Sequence, residues 1–475
     1  MTRRSASLVL VVLGLSAGCG RSAGPTVTQA APTHVPVTAT FTASPPITRL
    51  PTSATPTAAP TTLPTPNPLQ RALDAPLSGN VYRIPLITRH VTQHEAVLEF
   101  ELDQPATGQL LVGAESGANP PVAIPFDTTG GMFAASGLEA NTRYWAAVAL
   151  TAADGLTQPG FKDQAWGVVS FKTQPEVPSE FRVAVVGDSG FGQPETAQLG
   201  SLMATYAVDF TIHTGDLVYN LQDDPSPPAG FQTKLFAPFA ALLRSAPFYP
   251  SLGNHDLEAA ATWQGEPYAL QAFPPFTDPN MPDVQADQGG WYAFSQRGIQ
   301  FVVLNSQVIF GYPGRTEETD WLAERLADPR FPTSIVVLHV PVYNAGYHIL
   351  DSIPVRGSWG DMIAAADVPL VLAGHDHNYQ RFDVAGRTYI ISGGGSTHLY
   401  RVPGRDPNLV ASARATHFVL LTFKATEIEI QAIDLNGQVL DEAHIPWGGW
   451  PASVSPSGDK VLVRAPASAL APRYP

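Results

Sequence analysis

Five apolar segments after residue 180 each end in residues that can bind a metal ion. In chain order they read FRVAVVGDSG, VDFTIHTGDLVYN, FYPSLGNHD, TSIVVLHVP and VPLVLAGHDHN. The apolar runs are typical of strands buried on both faces, and the stretches QPETAQLGSLMATY, KLFAPFAALLRSA and TEETDWLAERLAD between them are typical of helices. In an open α/β sheet the loops leave from the carboxyl ends of the strands, so ligands bind there. The pattern therefore predicts an α/β fold with polar side chains gathered at one edge.

Seven residues at these strand ends carry oxygen or nitrogen atoms of the kind that bind metals. They are Asp188, Asp216, Tyr219, Asn254, His339, His375 and His377. One trivalent and one divalent ion need about this many protein ligands, with water or hydroxide completing the coordination. Because side chains alternate along a strand, we expect His375 and His377 to share a face and Asp376 to point away. Each imidazole can then take a different ion.

The motif series GDSG, GDLVY, GNHD, VLHVP and GHDH is similar to that of the calcineurin-like metallophosphoesterases. The tyrosine in GDLVY resembles the purple acid phosphatases in particular. The resemblance covers residues 178–447. It implies a four-layer α/β metallophosphoesterase sandwich, in which helices flank two mixed sheets. It also implies an acid phosphatase-like hydrolase of small phosphate esters.

The resemblance further implies a role for each site residue. Asp188, Tyr219 and His377 would bind Fe³⁺; Asn254, His339 and His375 would bind a divalent ion (Fe²⁺, Zn²⁺ or Mn²⁺); and Asp216 would bridge the two. His255 matches the residue that protonates the leaving group, and His348 matches a histidine that contacts substrate. Plant members often have two adjacent histidines at the second place, where this chain has Tyr347 and His348.

The expected reaction is hydrolysis of phosphate monoesters. Metal-bound hydroxide would attack phosphorus, and an imidazole would protonate the leaving oxygen. A phosphodiesterase or nucleotide hydrolase on the same metal core is the alternative among enzymes. A non-catalytic surface binding module is the alternative outside them, although the complete ligand set argues against it.

Residues 74–175 have a different sequence pattern. Short segments in which apolar and polar residues alternate are separated by turns that contain Gly, Pro and Asn. The segments read HEAVLEFELD, TGQLLVGAE, RYWAAVALTA and WGVVSFKT. Short strands at this spacing predict a small all-β sandwich that precedes the α/β domain. The stretch SGLEANTRYWAAV resembles a fibronectin type III-like domain, whose core signature Leu138, Thr142 and Tyr144 match.

The amino end has the layout of an export signal. Arg3 and Arg4 precede an apolar run, and small residues follow it up to Cys19. Cys19 is the only cysteine, so it cannot form an internal disulfide. Residues 1–19 resemble a bacterial lipoprotein signal, which implies that a lipid on Cys19 anchors the protein at the outer face of the cell membrane. A plain secretory signal with an incidental cysteine is the alternative.

The composition changes between the signal and the first predicted strand. The stretch 25–68 holds 11 prolines and 13 threonines, so we expect residues 20–73 to form a disordered stalk. Residues 448–475 form a tail rich in Pro, Ala and Ser.

The formal net charge is −14, and no Lys/Arg cluster is present, which argues against a nucleic acid partner and against any membrane contact beyond the lipid. The oligomeric state is not predicted.

Overall fold

The structure, a computed structural model, describes residues 82–117, 120–150, 166–284, 286–287 and 289–450. The predicted export signal (1–19) with Cys19, the predicted stalk (20–73) and residues 451–475 of the predicted tail lie outside this part of the chain. None of the helices in the described ranges has the length and the apolar character that crossing a membrane requires.

The first described part is an all-β sandwich of two antiparallel sheets. Its strands are β1 (Tyr82–Val91), β2 (Glu95–Leu102), β3 (Gly108–Ala114), β4 (Val122–Phe126), β5 (Gly130–Ser136), β6 (Arg143–Leu150) and β7 (Val168–Lys172). One sheet has the order β1-β2-β5 and the other β4-β3-β6-β7. Along β2 every second side chain, Ala96, Leu98 and Phe100, is fully buried between the sheets. This alternation confirms the predicted sandwich, whereas the fibronectin type III-like assignment and the domain boundaries remain predictions.

Two further sheets form the α/β part. The six-stranded sheet contains β8 (Phe181–Val186), β9 (Phe210–His213), β10 (Phe248–Pro250), β20 (His417–Phe423), β21 (Glu427–Asp434) and β22 (Val439–Pro446), in the order β10-β9-β8-β20-β21-β22. The seven-stranded sheet contains β13 (Tyr292–Gln296), β14 (Ile299–Val303), β15 (Ser334–Val337), β16 (Leu370–Ala373), β17 (Tyr379–Val384), β18 (Arg387–Ser392) and β19 (Leu409–Ala413), in the order β13-β14-β15-β16-β18-β17-β19. Both sheets mix parallel and antiparallel pairs. A two-residue hairpin, β11 (Thr262–Trp263) and β12 (Glu266–Pro267), lies apart from them.

Helices cover the outer faces of these sheets. They are α1 (Pro194–Ala204), α2 (Pro227–Phe231), α3 (Ala240–Leu243) and α4 (Tyr268–Ala272) beside the six-stranded sheet, and α5 (Arg315–Leu326), α6 (Ser352–Val355) and α7 (Asp361–Ala365) beside the seven-stranded one. In β8, Val183 and Val185 pack between the sheets, whereas Ala184 and Val186 pack under the helices. A strand with apolar partners on both faces needs an unbroken apolar sequence. The four-layer architecture is confirmed.

One predicted helix is broken. The segment KLFAPFAALLRSA, expected to be helical, begins inside a π-helical turn (Gln232–Phe236) and otherwise holds only the short helix α3. Pro238 lies between them, and a proline has no N–H to continue the helical hydrogen bonds.

A buried polar network joins the sandwich to the α/β part. The Nδ1 of His90, on β1, lies 2.7 Å from the Tyr249 hydroxyl, and its Nε2 lies 3.0 Å from Asp278 Oδ1. The other oxygen of Asp278 accepts hydrogen bonds from the backbone and the hydroxyl of Ser295. Because buried polar groups are expensive to leave unpaired, this network fixes β1 against the α/β core.

Candidate metal centre

The seven predicted ligands, taken from five separate strand ends, lie together in the structure. Asp188 follows β8, Asp216 and Tyr219 follow β9, Asn254 follows β10, His339 follows β15, and His375 and His377 follow β16. The two mixed sheets bring these ends to a common edge, which is where an α/β fold gathers its ligands.

Three of these residues have left-handed backbone conformations. The φ angles are 58° at Asp188, 52° at Asp216 and 71° at His375. Such angles are costly for residues other than glycine and concentrate at functional sites. They also correct the expectation that strand alternation places His375 and His377 on one face. Strand β16 ends at Ala373, so both histidines lie beyond the strand, and a turn with a left-handed residue at His375 directs them to the site.

The first half of the site is built around the phenol oxygen of Tyr219. This oxygen lies 3.0 Å from Asp188 Oδ1, 2.9 Å from Asp216 Oδ2 and 3.0 Å from His377 Nε2. All four side chains are almost completely buried. A dense group of oxygen and nitrogen donors results, contributed by two aspartates, a phenol and an imidazole.

The second half of the site is built around Nε2 of His339. This nitrogen lies 3.2 Å from Asn254 Oδ1, 3.2 Å from His375 Nδ1 and 3.4 Å from Asp216 Oδ2. Oδ2 of Asp216 therefore belongs to both halves. The bridging role of this carboxylate and the division of the other ligands between two ions remain predictions.

Hydrogen bonds behind the site determine which imidazole nitrogens point into it as acceptors. His339 Nδ1 lies 2.8 Å from the Thr214 carbonyl, and His377 Nδ1 lies 2.7 Å from the His398 carbonyl. Oδ2 of Asp351 lies 3.0 Å from His375 Nε2. Because these oxygens only accept, each of these nitrogens carries the proton, and in the neutral ring the other nitrogen presents a lone pair to the site.

The donor set therefore fits a pair of metal ions. His375 Nδ1 directs a lone pair at His339 Nε2 across 3.2 Å, and a cation that displaces the proton from Nε2 would be bound by both nitrogens. The chemistry of the remaining donors, carboxylate, phenol and amide oxygen, also suits a cation.

The electrostatics of the buried groups favour added positive charge. Burial and the nearby carboxylate of Asp216 raise the pKa of Asp188 well above its ordinary value, although the His339 imidazole opposes the shift. Burial by itself lowers the pKa of His339. The carboxylates of Asp216 and Asp188 outweigh this effect and raise the pKa of His339 to about 9. Burial lowers the pKa of His375 to about 4 and that of His377 to about 3, so both rings are neutral at pH 7.

The glycines that precede two of the ligands leave no room for a side chain. A Cβ at Gly253 would collide with the Asp216 carboxylate, and one at Gly374 would lie 2.5 Å from Asp188 Oδ2. The motifs GN and GH thus require glycine because the backbone passes directly against a neighbouring ligand.

The two predicted catalytic histidines lie beside the site, and each has a carboxylate partner three residues later. His255 Nδ1 lies 2.7 Å from Glu258 Oε1, and the His255 ring centre lies 4.5 Å from that of Tyr219. His348 Nδ1 lies 3.1 Å from Asp351 Oδ2, and its ring centre lies 4.3 Å from that of His375. Sequence reasoning missed both carboxylates, although the spacing of three residues after a candidate histidine was a usable signal.

Sequence reasoning also missed the aromatic rings that surround the ligands. Phe191 stacks on Tyr219 at 3.8 Å between ring centres, and Tyr400 stacks on His377 at 4.4 Å. His213, at the end of β9, is also buried, and its Nε2 lies 2.9 Å from the Ser189 hydroxyl.

Part of the chain is similar to known proteins. Residues 181–379 match the calcineurin-like phosphoesterase family. A probable purple acid phosphatase 20 of Arabidopsis thaliana is 29% identical over 262 residues, which cover 50% of this chain and 57% of the relative. A phosphoenolpyruvate phosphatase of Allium cepa is 25% identical and covers 50% of this chain and 49% of its own.

The fold has a counterpart among solved structures. Purple acid phosphatase PPD1 from yellow lupin (Lupinus luteus) seeds superposes with a TM-score of 0.60 at 16% identity, over 76% of this chain and 74% of that one. The chain spans about half the length of the first curated relatives it matches. This chain therefore contains a calcineurin-like phosphoesterase domain and is a relative of the purple acid phosphatases.

Proposed function

We propose that this protein hydrolyses phosphate monoesters at a dinuclear metal centre. The observation that carries the proposal is the pair of donor clusters that share Oδ2 of Asp216. Asp188, Tyr219 and His377 would hold Fe³⁺, and Asn254, His339 and His375 would hold Fe²⁺, Zn²⁺ or Mn²⁺. When bound, such a pair neutralises the charge on phosphate oxygens and makes water acidic enough to attack phosphorus.

Tyr219 supports iron in the first half of the site. Burial and the carboxylates of Asp188 and Asp216 raise the pKa of this phenol well above its ordinary value. Only a strongly charged cation offsets that shift and makes the phenolate the stable form. A phenolate is a hard anionic ligand, so it favours a trivalent over a divalent ion.

His255 is placed to donate a proton to the leaving oxygen. Its backbone N–H donates to Oδ1 of Asp216 at 2.8 Å, which ties the residue to the shared ligand. Glu258 orients the ring through Nδ1, so Nε2 remains to act as the general acid. His348, held by Asp351, would contact the substrate from the other half of the site.

The direct test is a substrate panel on the purified protein loaded with iron and zinc. We expect p-nitrophenyl phosphate to be hydrolysed, bis(p-nitrophenyl) phosphate to be hydrolysed at least tenfold more slowly, and the Asp216→Asn variant to be inactive on both. Faster hydrolysis of the diester would support the phosphodiesterase alternative. Inactivity on all phosphate esters, nucleotides included, despite two bound ions would favour the non-catalytic binding module.

The location of the protein is a separate proposal. We propose that it is exported and anchored by a lipid on Cys19 at the outer face of the cell membrane. The support is the sequence layout around this single cysteine. The Pro/Thr-rich segment that follows would then hold the folded domains away from the membrane surface.

A further inference from the structure

Four large apolar side chains are exposed within a stretch of seven residues beside the candidate metal centre. The exposed fractions are 72% for Tyr347, 43% for Ile349, 72% for Leu350 and 52% for Ile353. The same stretch contains His348 and Asp351, which reach the second half of the site. Concentrated exposed apolar surface next to a polar site is a feature of ligand binding rather than of ordinary protein surface.

Tyr347 connects this stretch to the first half of the site. Its ring centre lies 4.9 Å from that of His348 and 5.0 Å from that of Tyr400. The Tyr400 ring in turn stacks on the candidate ligand His377. The two tyrosines therefore form a continuous aromatic surface from one half of the site to the other, and we call Tyr347, Leu350 and Tyr400 the apolar rim.

Hydrogen bonds hold the apolar rim in place. The N–H of Asp351 donates to the His348 carbonyl at 3.1 Å, and that of Ile353 donates to the Leu350 carbonyl at 3.3 Å. On the other side, the N–H of Tyr400 donates to the His377 carbonyl at 2.9 Å. The rim is thus attached to the same backbone that carries the candidate ligands, so a group that contacts the rim has a defined position relative to the metals.

Exposed carboxylates beside the site argue against an ionic leaving group. The side chains of Glu258 and Asp351 are 47% and 41% exposed, one beside each half of the site. Carboxylates at these positions repel a second phosphate or a carboxylate on the substrate. The whole chain also carries a formal charge of −14.

We propose that the apolar rim binds the leaving group of the substrate and that this group is uncharged and aromatic. The inference rests on the proposed function and narrows its substrate class to monoesters of aryl or arylalkyl alcohols. Covering Tyr347 and Leu350 removes apolar surface from water, and an aromatic ring can stack on the two tyrosines.

The test compares 2-phenylethyl phosphate with ethyl phosphate, whose leaving alcohols have similar acidity. We expect the metal-loaded protein to favour the phenylethyl ester roughly tenfold in kcat/KM, mainly through KM. Tyr347→Ala and Leu350→Ala should each reduce this ratio several-fold, whereas Tyr347→Phe should retain it. Val122→Ala removes exposed apolar surface from the sandwich and should leave the ratio unchanged.

The outcomes separate the inference from the function on which it rests. If both esters are hydrolysed with equal efficiency, or if Tyr347→Ala changes both equally, the apolar rim has no role in recognition while the phosphatase proposal stands. If the metal-loaded protein hydrolyses neither of these esters and does not hydrolyse p-nitrophenyl phosphate either, the proposed function and the inference both fail.

Discussion

Asp351 accepts a hydrogen bond from the candidate metal ligand His375, with 3.0 Å between Oδ2 and Nε2. The same oxygen lies 3.1 Å from Nδ1 of His348, the candidate substrate contact. One carboxylate therefore orients a ligand and a substrate-binding residue at once. Partners of this kind set the tautomer of a ligating imidazole and increase its basicity.

Replacing Asp351 should therefore weaken metal binding while leaving the fold intact. We expect Asp351→Ala to lower the affinity for one of two ions by roughly tenfold or more, because His375 loses its partner. Metal content after dialysis against a graded chelator measures this, and circular dichroism monitors the fold. Asp361→Ala, at an exposed aspartate of α7, is the matched control. Equal retention of both ions in the two variants would contradict the role of Asp351.

His255 should act on the leaving group rather than on metal binding. We expect His255→Ala to keep both ions and to lose ~10²- to 10⁴-fold in rate on alkyl phosphates, but less on nitrophenyl phosphate, whose leaving oxygen needs little protonation. Glu258→Gln should show the same selectivity with a smaller loss, since Glu258 only orients the ring. An equal loss on both types of ester would remove His255 from the acid role.

Tyr219 should determine the colour of the iron-loaded protein. Phenolate bound to Fe³⁺ absorbs visible light, so we expect a coloured wild type. Tyr219→Phe keeps the ring stacked on Phe191 but removes the ligand oxygen, and it should bleach the colour and weaken iron retention. Visible spectra and iron content provide the measurement. A colourless wild type that is fully active with two Mn²⁺ or Zn²⁺ ions, and indifferent to this change, would disprove the iron assignment.

Glu318 should make the folded state less stable as pH rises. Burial raises its pKa well above the ordinary value, and its Oε1 accepts from the Asn305 N–H. The folded state then binds a proton that the unfolded state releases above about pH 4.5, so this contribution to stability is present at low pH and lost with increasing pH.

The neutral variant Glu318→Gln should be free of this loss. We expect its Tm to match wild type near pH 4 and to exceed it increasingly towards pH 8. Glu317→Gln, at the exposed neighbouring position, is the control. Parallel Tm curves for Glu318→Gln and wild type across this range would show that Glu318 is not protonated in the folded state.

Cys19 should hold the protein at the membrane. We expect Cys19→Ser to move the protein from the membrane fraction to the soluble fraction, since a seryl side chain cannot accept the thioether-linked lipid. Immunoblots of fractionated cells measure the distribution. Unchanged membrane association of the variant would show that something other than Cys19 attaches the protein, and a wild type found only in the soluble fraction would support the secretory alternative.

The sequence by itself determined the layers and the candidate ligands. The apolar run of β8 predicts a strand buried on both faces, because each face packs on a different layer. Asp188 and Asn254 are recognisable because each follows such a strand within a few residues, and a strand end is a local property of the chain. The histidines His375 and His377 were found in the same way. The predicted cause of their placement, alternation along a strand, was wrong because β16 ends at Ala373.

The tertiary structure alone decided what orients those ligands. The partners of His339 and His377 are the carbonyl oxygens of Thr214 and His398, 125 and 21 residues away along the chain. Every residue has a carbonyl oxygen, so no side-chain pattern distinguishes these two from the rest. Likewise, Tyr347 and Tyr400 follow different strands, β15 and β18, and their ring centres come within 5.0 Å of each other only in the folded protein.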